Sequence, residues 1–305
     1  MLVNESRILI FGAGVIGSTY AIKFIEAGLD VTILARNSRL STLREKGLYY
    51  SENGTIRHLN VKVIENLEPS DIYDFIFVPV RYEQAESALS ALKENQSINI
   101  VTMINNPIGY ESWEKIIGKG RLLPAFPSAG GEIKDRILYA HFGPKFIQAT
   151  TFGEIAGQIT ERTKKLADIF EKSKLPYSVS KDMKAFQITH AAFVVAMSKG
   201  LYTHRGVVDQ ATAASRESVH VMTLRIKEYI GSLKNAGISI TPSKLKIILI
   251  CPIWLMDFIM RKILNTKLVS DILLGGQALN LKNEVELMDK DFKELLRRNN
   301  IMHNL

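Results

Sequence analysis

The amino-acid sequence predicts an α/β amino half, residues 1–174, followed by an all-helical carboxyl half, residues 175–305. Three observations predict it. A strand, a glycine-rich turn and a helix are written in succession over residues 7–26. Short apolar runs then alternate with helical periodicities as far as Ser173, the pattern of a parallel sheet with crossover helices. After Leu175 the strand-like runs stop, and residues 181–197, 212–236, 242–264 and 270–298 all carry helical spacing, the last with a break at Gly275-Gly276.

The first element decides the rest. Ile8-Leu9-Ile10-Phe11 runs into Gly12-Ala13-Gly14-Val15-Ile16-Gly17, and Ala21, Ile22, Phe24 and Ile25 follow at helical spacing. Gly12 permits the sharp turn off the strand, Gly14 lets the backbone approach a pyrophosphate, and Gly17 lets the helix pack close to the sheet. Val15 and Ile16 open the helix, where unpaired N–H groups and the positive dipole end meet phosphates. Gly28 stops the helix and Asp30-Val31-Thr32-Ile33-Leu34-Ala35 is a second strand. The βαβ unit of about thirty residues required by the dinucleotide fingerprint is therefore complete, and the amino half reads as a Rossmann domain.

The end of the second strand selects the cofactor. An Asp or Glu there accepts from the ribose 2′-OH of NAD. This chain has Ala35-Arg36-Asn37-Ser38-Arg39, without an acid, and Arg36 stands nineteen residues after Gly17. A guanidinium suits a 2′-phosphate by charge and by its fork of donors, so NADP is the expected cofactor. The alternative is a solvated surface arginine. Residues 73–80 form a buried strand, with Arg81 at its carboxyl end as a second candidate cation. Residues 97–103 form another, ending in Asn105 and Asn106. Ligands of parallel sheets bind beyond the carboxyl ends of strands, which groups Arg81 and Asn105 with Gly14.

The remaining elements follow in order. Residues 40–48 are helical with Gly47 as the stop, and Asn53-Gly54 signals a hairpin within residues 49–63. Residues 83–92 are helical. Residues 139–142 and 146–151 read as antiparallel strands extending the sheet, and residues 161–173 as a helix packed on it. The apolar run 247–256 is too short to span a bilayer and contains Pro252, so it reads as a buried helix or a hydrophobic cover over a pocket.

Bulk properties restrict the function classes. The 305 residues are 46% hydrophobic, enough for a large core. The net charge of +8 is spread without a basic run or aromatic interleaving, which argues against nucleic acid and for anionic small ligands. Cys251 is the one cysteine, so no disulfide or thiolate metal cluster is available, as in a reducing compartment. With no basic-then-apolar leader visible, a cytoplasmic protein without membrane contact is expected.

Taken together, these residues resemble the ketopantoate reductase (2-dehydropantoate 2-reductase) family. The likeness is strongest over Gly12 to Leu48 and returns at Gly153-Glu154-Ile155-Ala156-Gly157 and at Ala236-Gly237-Ile238. It implies a Rossmann domain followed by a helical substrate and dimerisation domain, with a homodimer as the oligomer such helices allow. It also implies that Asn105, the counterpart of the family's Asn-Gly turn asparagine, touches nicotinamide and substrate; here Asn106-Pro107 follows it instead of glycine. Aligned from Lys184-Ala185, the family's general-acid lysine is replaced by His190 and its asparagine four residues on by Val194. The family's Ser-Met-Leu-Gln-Asp stretch and the glutamate after it are also missing from the aligned pattern, leaving Glu284 as a substitute acid or, more simply, a solvated surface residue.

The resulting expectation is an NADPH-dependent reductase of a small keto acid or ketone other than ketopantoate. His190 is the candidate proton donor, because an imidazole titrates near neutral pH, the alternative being a core histidine bonded to a backbone carbonyl. Asn105 is the candidate to polarise the carbonyl, the alternative being an ordinary turn asparagine. Two readings stand beside it: a non-catalytic NADP-binding sensor or regulatory protein, and a different dehydrogenase on the same two-domain plan.

Overall fold

The computed structural model describes residues 6–143, 148–201, 213–266 and 282–298. Its contacts divide the chain into two units. One comprises residues 1–104 and 110–183, the other residues 105–109 and 184–305.

The first unit opens as its sequence dictates. Strand β1 (Arg7–Phe11) leads through the glycine turn into α1 (Val15–Glu26), then β2 (Asp30–Leu34) and α2 (Asn37–Lys46), which Gly47 ends at φ +63°. A hairpin of β3 (Leu48–Glu52) and β4 (Thr55–Leu59) turns at Asn53 and Gly54, both at positive φ, as a two-residue hairpin loop requires. Then come β5 (Lys62–Ile64), β6 (Phe75–Val78), α3 (Ala85–Ala91), β7 (Ile100–Met103), α4 (Glu111–Ile117) and β8 (Leu122–Phe126). The unit closes with β9 (Ala129–Lys134), β10 (Ile137–Phe142), β11 (Thr150–Phe152), α5 (Glu161–Lys172) and β12 (Tyr177–Val179).

The main sheet has the order β12-β11-β8-β7-β6-β1-β2-β5. From β8 to β5 every pairing is parallel. Strand order reverses between β1 and β6, the switch point where an open parallel sheet leaves a crevice at its carboxyl edge. Strands buried on both faces need continuous apolar runs, and Ile8, Leu9, Ile10, Phe75, Ile76 and Phe77 are fully buried. Phe24, Phe77, Phe152 and Phe170 pack with Tyr20 into one aromatic cluster. Each such ring contributes on the order of 1.5–3 kcal/mol by leaving water. Tyr20 Oη also bonds Thr150 Oγ1 at 2.6 Å and accepts from the Ser128 N–H at 3.1 Å, which ties α1 to the sheet.

Two sequence expectations need correction here. The strand at 137–142 does not extend the main sheet: β10 pairs antiparallel with β9 and parallel with β3 in a separate four-stranded sheet. The positive-φ residues Asp135 and Arg136 turn β9 directly back into β10, a local pairing that propensity alone cannot assign to a sheet. Strands also continue past Leu175, because Tyr177–Val179 pairs in parallel with β11. By its contacts the first unit reaches Met183. Of the strand expected over 146–151, residues 146 and 147 lie outside the described residues; the remainder overlaps β11, which pairs antiparallel with β8 in the main sheet.

The second unit is helical: α6 (Met183–Leu201), α7 (Arg216–Asn235), α8 (Ile253–Leu264) and α9 (Lys282–Arg298), with shorter turns at Ser243–Lys246 and Ile247–Ile250. Pro252 splits the apolar run, since it cannot donate within a helix. Ile247, Ile250 and Trp254 are exposed, whereas Ile248 and Met256 are buried, so that run is neither a buried helix nor a continuous cover. The expected break at Gly275-Gly276 lies outside the described residues. Among the described residues no helix is long and apolar enough to cross a membrane.

Candidate functional site

In the first unit the glycine turn sits at the switch point. Gly12 has φ +123°, and its N–H is held by the carbonyls of Ile10 and Leu34. A Cβ on Gly17 would lie 2.1 Å from the Gly12 carbonyl oxygen, 2.9 Å from Ile10 and 3.1 Å from Pro79, so only glycine fits there. A Cβ on Gly14 would meet no protein atom within 4 Å. Gly14 is the N-cap of α1; no side chain caps that helix end, and its first turn contains no acid. The N–H groups of Val15, Ile16 and Gly17 thus belong to an uncapped helix start beside an open backbone, which suits a phosphate.

Arginines stand near this turn. Arg36 is exposed at the N-cap of α2, directly after β2. Arg81 follows β6 and lies 4.0 Å from Glu83; beside it, Val80 is 3.9 Å from where a Cβ of Gly12 would be. Sequence reasoning missed Arg39. Its Nε donates to the Ala13 carbonyl at 3.2 Å and its Nη2 to Ser18 Oγ at 3.3 Å, and burial pushes its pKa below the ordinary arginine value. The signal was available: Arg39 lies three residues after Arg36, about one helical turn on, and so on the same face of α2.

The Gly153–Gly157 turn is structural. Glu154 accepts from Arg162 Nε at 2.7 Å and Thr160 Oγ1 at 2.6 Å. Burial alone would raise its carboxyl pKa; these donors outweigh that and hold it below the usual range. A Cβ at Gly153 would lie 2.2 Å from the Ser180 carbonyl, and one at Gly157 equally close to that of Lys181.

The second unit gathers the other candidates. Residues 105–109 form a turn that Asn106 ties: its Oδ1 accepts from the N–H groups of Ile108 at 3.0 Å and Gly109 at 2.9 Å, and its Nδ2 donates to the Gly109 carbonyl at 2.7 Å. The side chain of Asn106 thereby shapes the altered turn, with Gly109 at φ +104°. Asn105 Nδ2 donates to Glu284 Oε1 at 3.2 Å. Among the described residues Asn105 Oδ1 is buried without a hydrogen-bond partner. A buried acceptor in that condition suits a ligand donor, because leaving it unmet costs about 1–3 kcal/mol.

Glu284 is therefore not a solvated glutamate. It is 4% exposed and bonded to Asn105, 179 positions away in the chain. Its helix is fixed by Asp289, which accepts from Tyr229 Oη at 2.6 Å, Lys199 Nζ at 2.6 Å and Lys293 Nζ at 3.1 Å. Burial would raise the Asp289 pKa, and these donors together hold it below the carboxylate range. Tyr229 also stacks on Phe292 at 5.3 Å.

His190 lies on α6, parallel to the Phe186 ring at 6.3 Å. Burial lowers its pKa to about 4. The imidazole is therefore neutral at pH 7, and the imidazolium donor expected from the sequence is not the state it adopts there. Hydration is what stabilises an imidazolium, and the apolar α6 surroundings remove much of it. A neutral ring still offers one N–H as a hydrogen-bond donor.

Comparison with known proteins agrees with this architecture. Residues 8–157 match the family model described as ketopantoate reductase PanE/ApbA. The 2-dehydropantoate 2-reductase of Archaeoglobus fulgidus is 27% identical over 196 residues, 63% of this chain and 62% of that protein, so the match spans less than two thirds of the relative's length. Among solved structures, the ternary structure of D-mandelate dehydrogenase with NADH and anilino(oxo)acetate superposes with a TM-score of 0.70 at 16% identity, covering 97% of this chain and 100% of that one. The 2-dehydropantoate 2-reductase of Methylococcus capsulatus gives 0.62 at 15% identity, covering 97% and 99%. With the glycine turn and the strand order in agreement, residues 8–157 belong to the ketopantoate reductase PanE/ApbA family.

Proposed function

We propose that this protein is an NADPH-dependent reductase of a small 2-oxo acid other than ketopantoate. The observation that carries the cofactor half is the uncapped start of α1 beside the open backbone of Gly14, at the switch point of the sheet. Family membership and a fold neighbour solved with NADH support a nicotinamide dinucleotide. Arg36 in place of an acid favours the 2′-phosphorylated form, with Arg81 as a second cation.

When bound, the nicotinamide supplies the hydride. The chain's own residues then bind, orient and exchange a proton. Asn105 uses one Nδ2 hydrogen to fix itself on Glu284, which leaves the second to polarise a carbonyl and Oδ1 to accept from a ligand group that carries a donor. Glu284 takes the proton-exchange role that the sequence suggested for His190, as the titratable group bonded directly to that asparagine. His190 acts as a neutral N–H donor that polarises an oxygen without surrendering a charge. Replacement of the family lysine by a neutral His190 removes a charge, and replacement of its asparagine by Val194 removes a polar side chain, which favours a less hydroxylated substrate. The anilino(oxo)acetate bound by the fold neighbour makes aryl 2-oxo acids a sensible first series.

The reading is tested by titrating the protein with NADPH and NADH, then following single-turnover oxidation with 2-oxo acids in wild type and Glu284→Gln. Tight NADPH binding, with oxidation lost in the variant, supports it. The replacement of the lysine by a neutral histidine favours a second reading, a non-catalytic NADP sensor. That reading predicts binding without oxidation of the cofactor by any carbonyl compound.

A further inference from the structure

Arg39 is joined to the dinucleotide turn by two hydrogen bonds, from Nε and from Nη2. Its Nε–H meets the Ala13 carbonyl at 3.2 Å and its Nη2–H meets Ser18 Oγ at 3.3 Å. Ser18 is itself fully buried and donates to the same Ala13 carbonyl at 3.2 Å. One side chain from α2 thus brackets both the crest of the turn, at Ala13, and the first turn of α1, at Ser18. Among the described residues both partners are neutral, so the charge of this half-buried guanidinium is not cancelled by a carboxylate in contact with it.

Its place on α2 is electrostatically poor. Arg39 is the third residue of that helix, where the dipole is positive, and the first turn contains no acid to offset it. A cation is disfavoured at a helix start, and desolvation already lowers its pKa. Glutamine would avoid both costs and lysine neither, and neither side chain could span two acceptors with a rigid planar fork. Arg36, three residues earlier, is exposed and remains available to a phosphate.

We propose that Arg39 is a positioning residue for the dinucleotide: its fork locks the turn from Ala13 to Ser18 in the shape that presents the α1 N–H groups to the pyrophosphate. Cofactor selection is left to Arg36. The inference rests on the dinucleotide-binding reading above and divides the work of the two arginines.

That division gives the test. Dissociation constants for NADPH and NADH are measured by fluorescence titration on the wild type, Arg36→Ala, Arg39→Ala and Arg39→Lys. Arg39→Ala should weaken both cofactors by the same factor, about three- to tenfold, the scale of one or two hydrogen bonds. Arg39→Lys should not restore them, although it keeps the charge. Catalytic rate at saturating cofactor should hold while the cofactor KM rises. Arg36→Ala should weaken NADPH alone. Should Arg39→Ala fold poorly, Ser18→Ala supplies the second arm: it should weaken both cofactors equally, and the double variant should be no weaker than Arg39→Ala, since the two residues share one bracket. A loss confined to NADPH, full rescue by lysine, or unchanged affinity for both cofactors would overturn the proposal. Failure of the wild type to bind either cofactor would instead remove the reading on which it rests.

Discussion

Two glycines of one turn should fail in opposite ways. At Gly17 the added methyl of alanine would stand 2.1 Å from the Gly12 carbonyl oxygen and must move to an ordinary contact of 3.4 Å or more. The obstacle is backbone, and the turn is held by the Ile10 and Leu34 carbonyls, so α1 has to lift from the sheet. Overpacking of this kind costs about 1–3 kcal/mol, offset by about 0.5–1 kcal/mol from the better helix propensity of alanine. A backbone obstacle puts the cost at the upper end, about 2–3 kcal/mol, for a net of about 1–2.5 kcal/mol, so at about 2–4 °C per kcal/mol Gly17→Ala should melt roughly 2–10 °C below wild type. At Gly14 the methyl meets no protein atom within 4 Å, and φ −71° is open to alanine. The loss there is only that of a poorer N-cap, a few tenths to about 1 kcal/mol. The methyl does project where a pyrophosphate must approach, so NADPH affinity should fall tenfold or more, about 1.4 kcal/mol. Thermal melts of the free proteins and fluorescence titrations with NADPH measure both effects. A Gly14→Ala protein that binds NADPH like the wild type would refute the assignment of this turn. A Gly17→Ala protein that melts like the wild type would refute the packing argument.

Other outcomes follow from the same geometry. Arg36→Ala should weaken NADPH by about ten- to hundredfold and leave NADH nearly untouched, as expected for a lost charge-assisted pair of about 1.5–3 kcal/mol; equal affinity of the wild type for the two cofactors would contradict it. Glu284→Gln should lower kcat by on the order of 10²–10⁴ with NADPH affinity retained, and retained turnover would return Glu284 to a structural role. The neutral His190 should make the protein less stable in acid. Its pKa is depressed in the folded state, so the unfolded chain takes up the proton first, and stability falls as pH drops from about 6.5 towards about 4. One proton contributes at most about 1.4 kcal/mol per pH unit, and urea melts of wild type and His190→Gln should differ in slope over that window. Parallel slopes would show that His190 charges as readily folded as unfolded.

Much of the first unit was legible because local signals and the global fold agree. Gly12, Gly14 and Gly17 announce the turn, Gly47 the end of α2, and Asn53-Gly54 the hairpin, each through a backbone demand that few residues meet. The four-stranded sheet was not legible, because β10 pairs in parallel with β3, some ninety residues away, and no periodicity encodes that partner. The exposure of Trp254 was also hidden: Pro252 was visible in the run, but which side chains on either side of it meet the core is set by tertiary packing. In the site, Arg36 and Asn105 stood out by position. Glu284 did not, because what distinguishes it from a surface glutamate is burial and a bond to Asn105, both products of tertiary structure. His190 was visible as a substitution, but the charge state set by its surroundings was not.

The central claim is that the chain reduces a 2-oxo acid with NADPH, and steady-state loss of NADPH absorbance across a series of 2-oxo acids, ketopantoate and aryl members included, tests it most directly. The account predicts turnover of at least one member with kcat/KM near or above about 10⁴ M⁻¹s⁻¹, poor turnover of ketopantoate, and loss of activity in Glu284→Gln. NADPH that binds tightly yet is oxidised by no member of the series would contradict it and leave the non-catalytic reading standing.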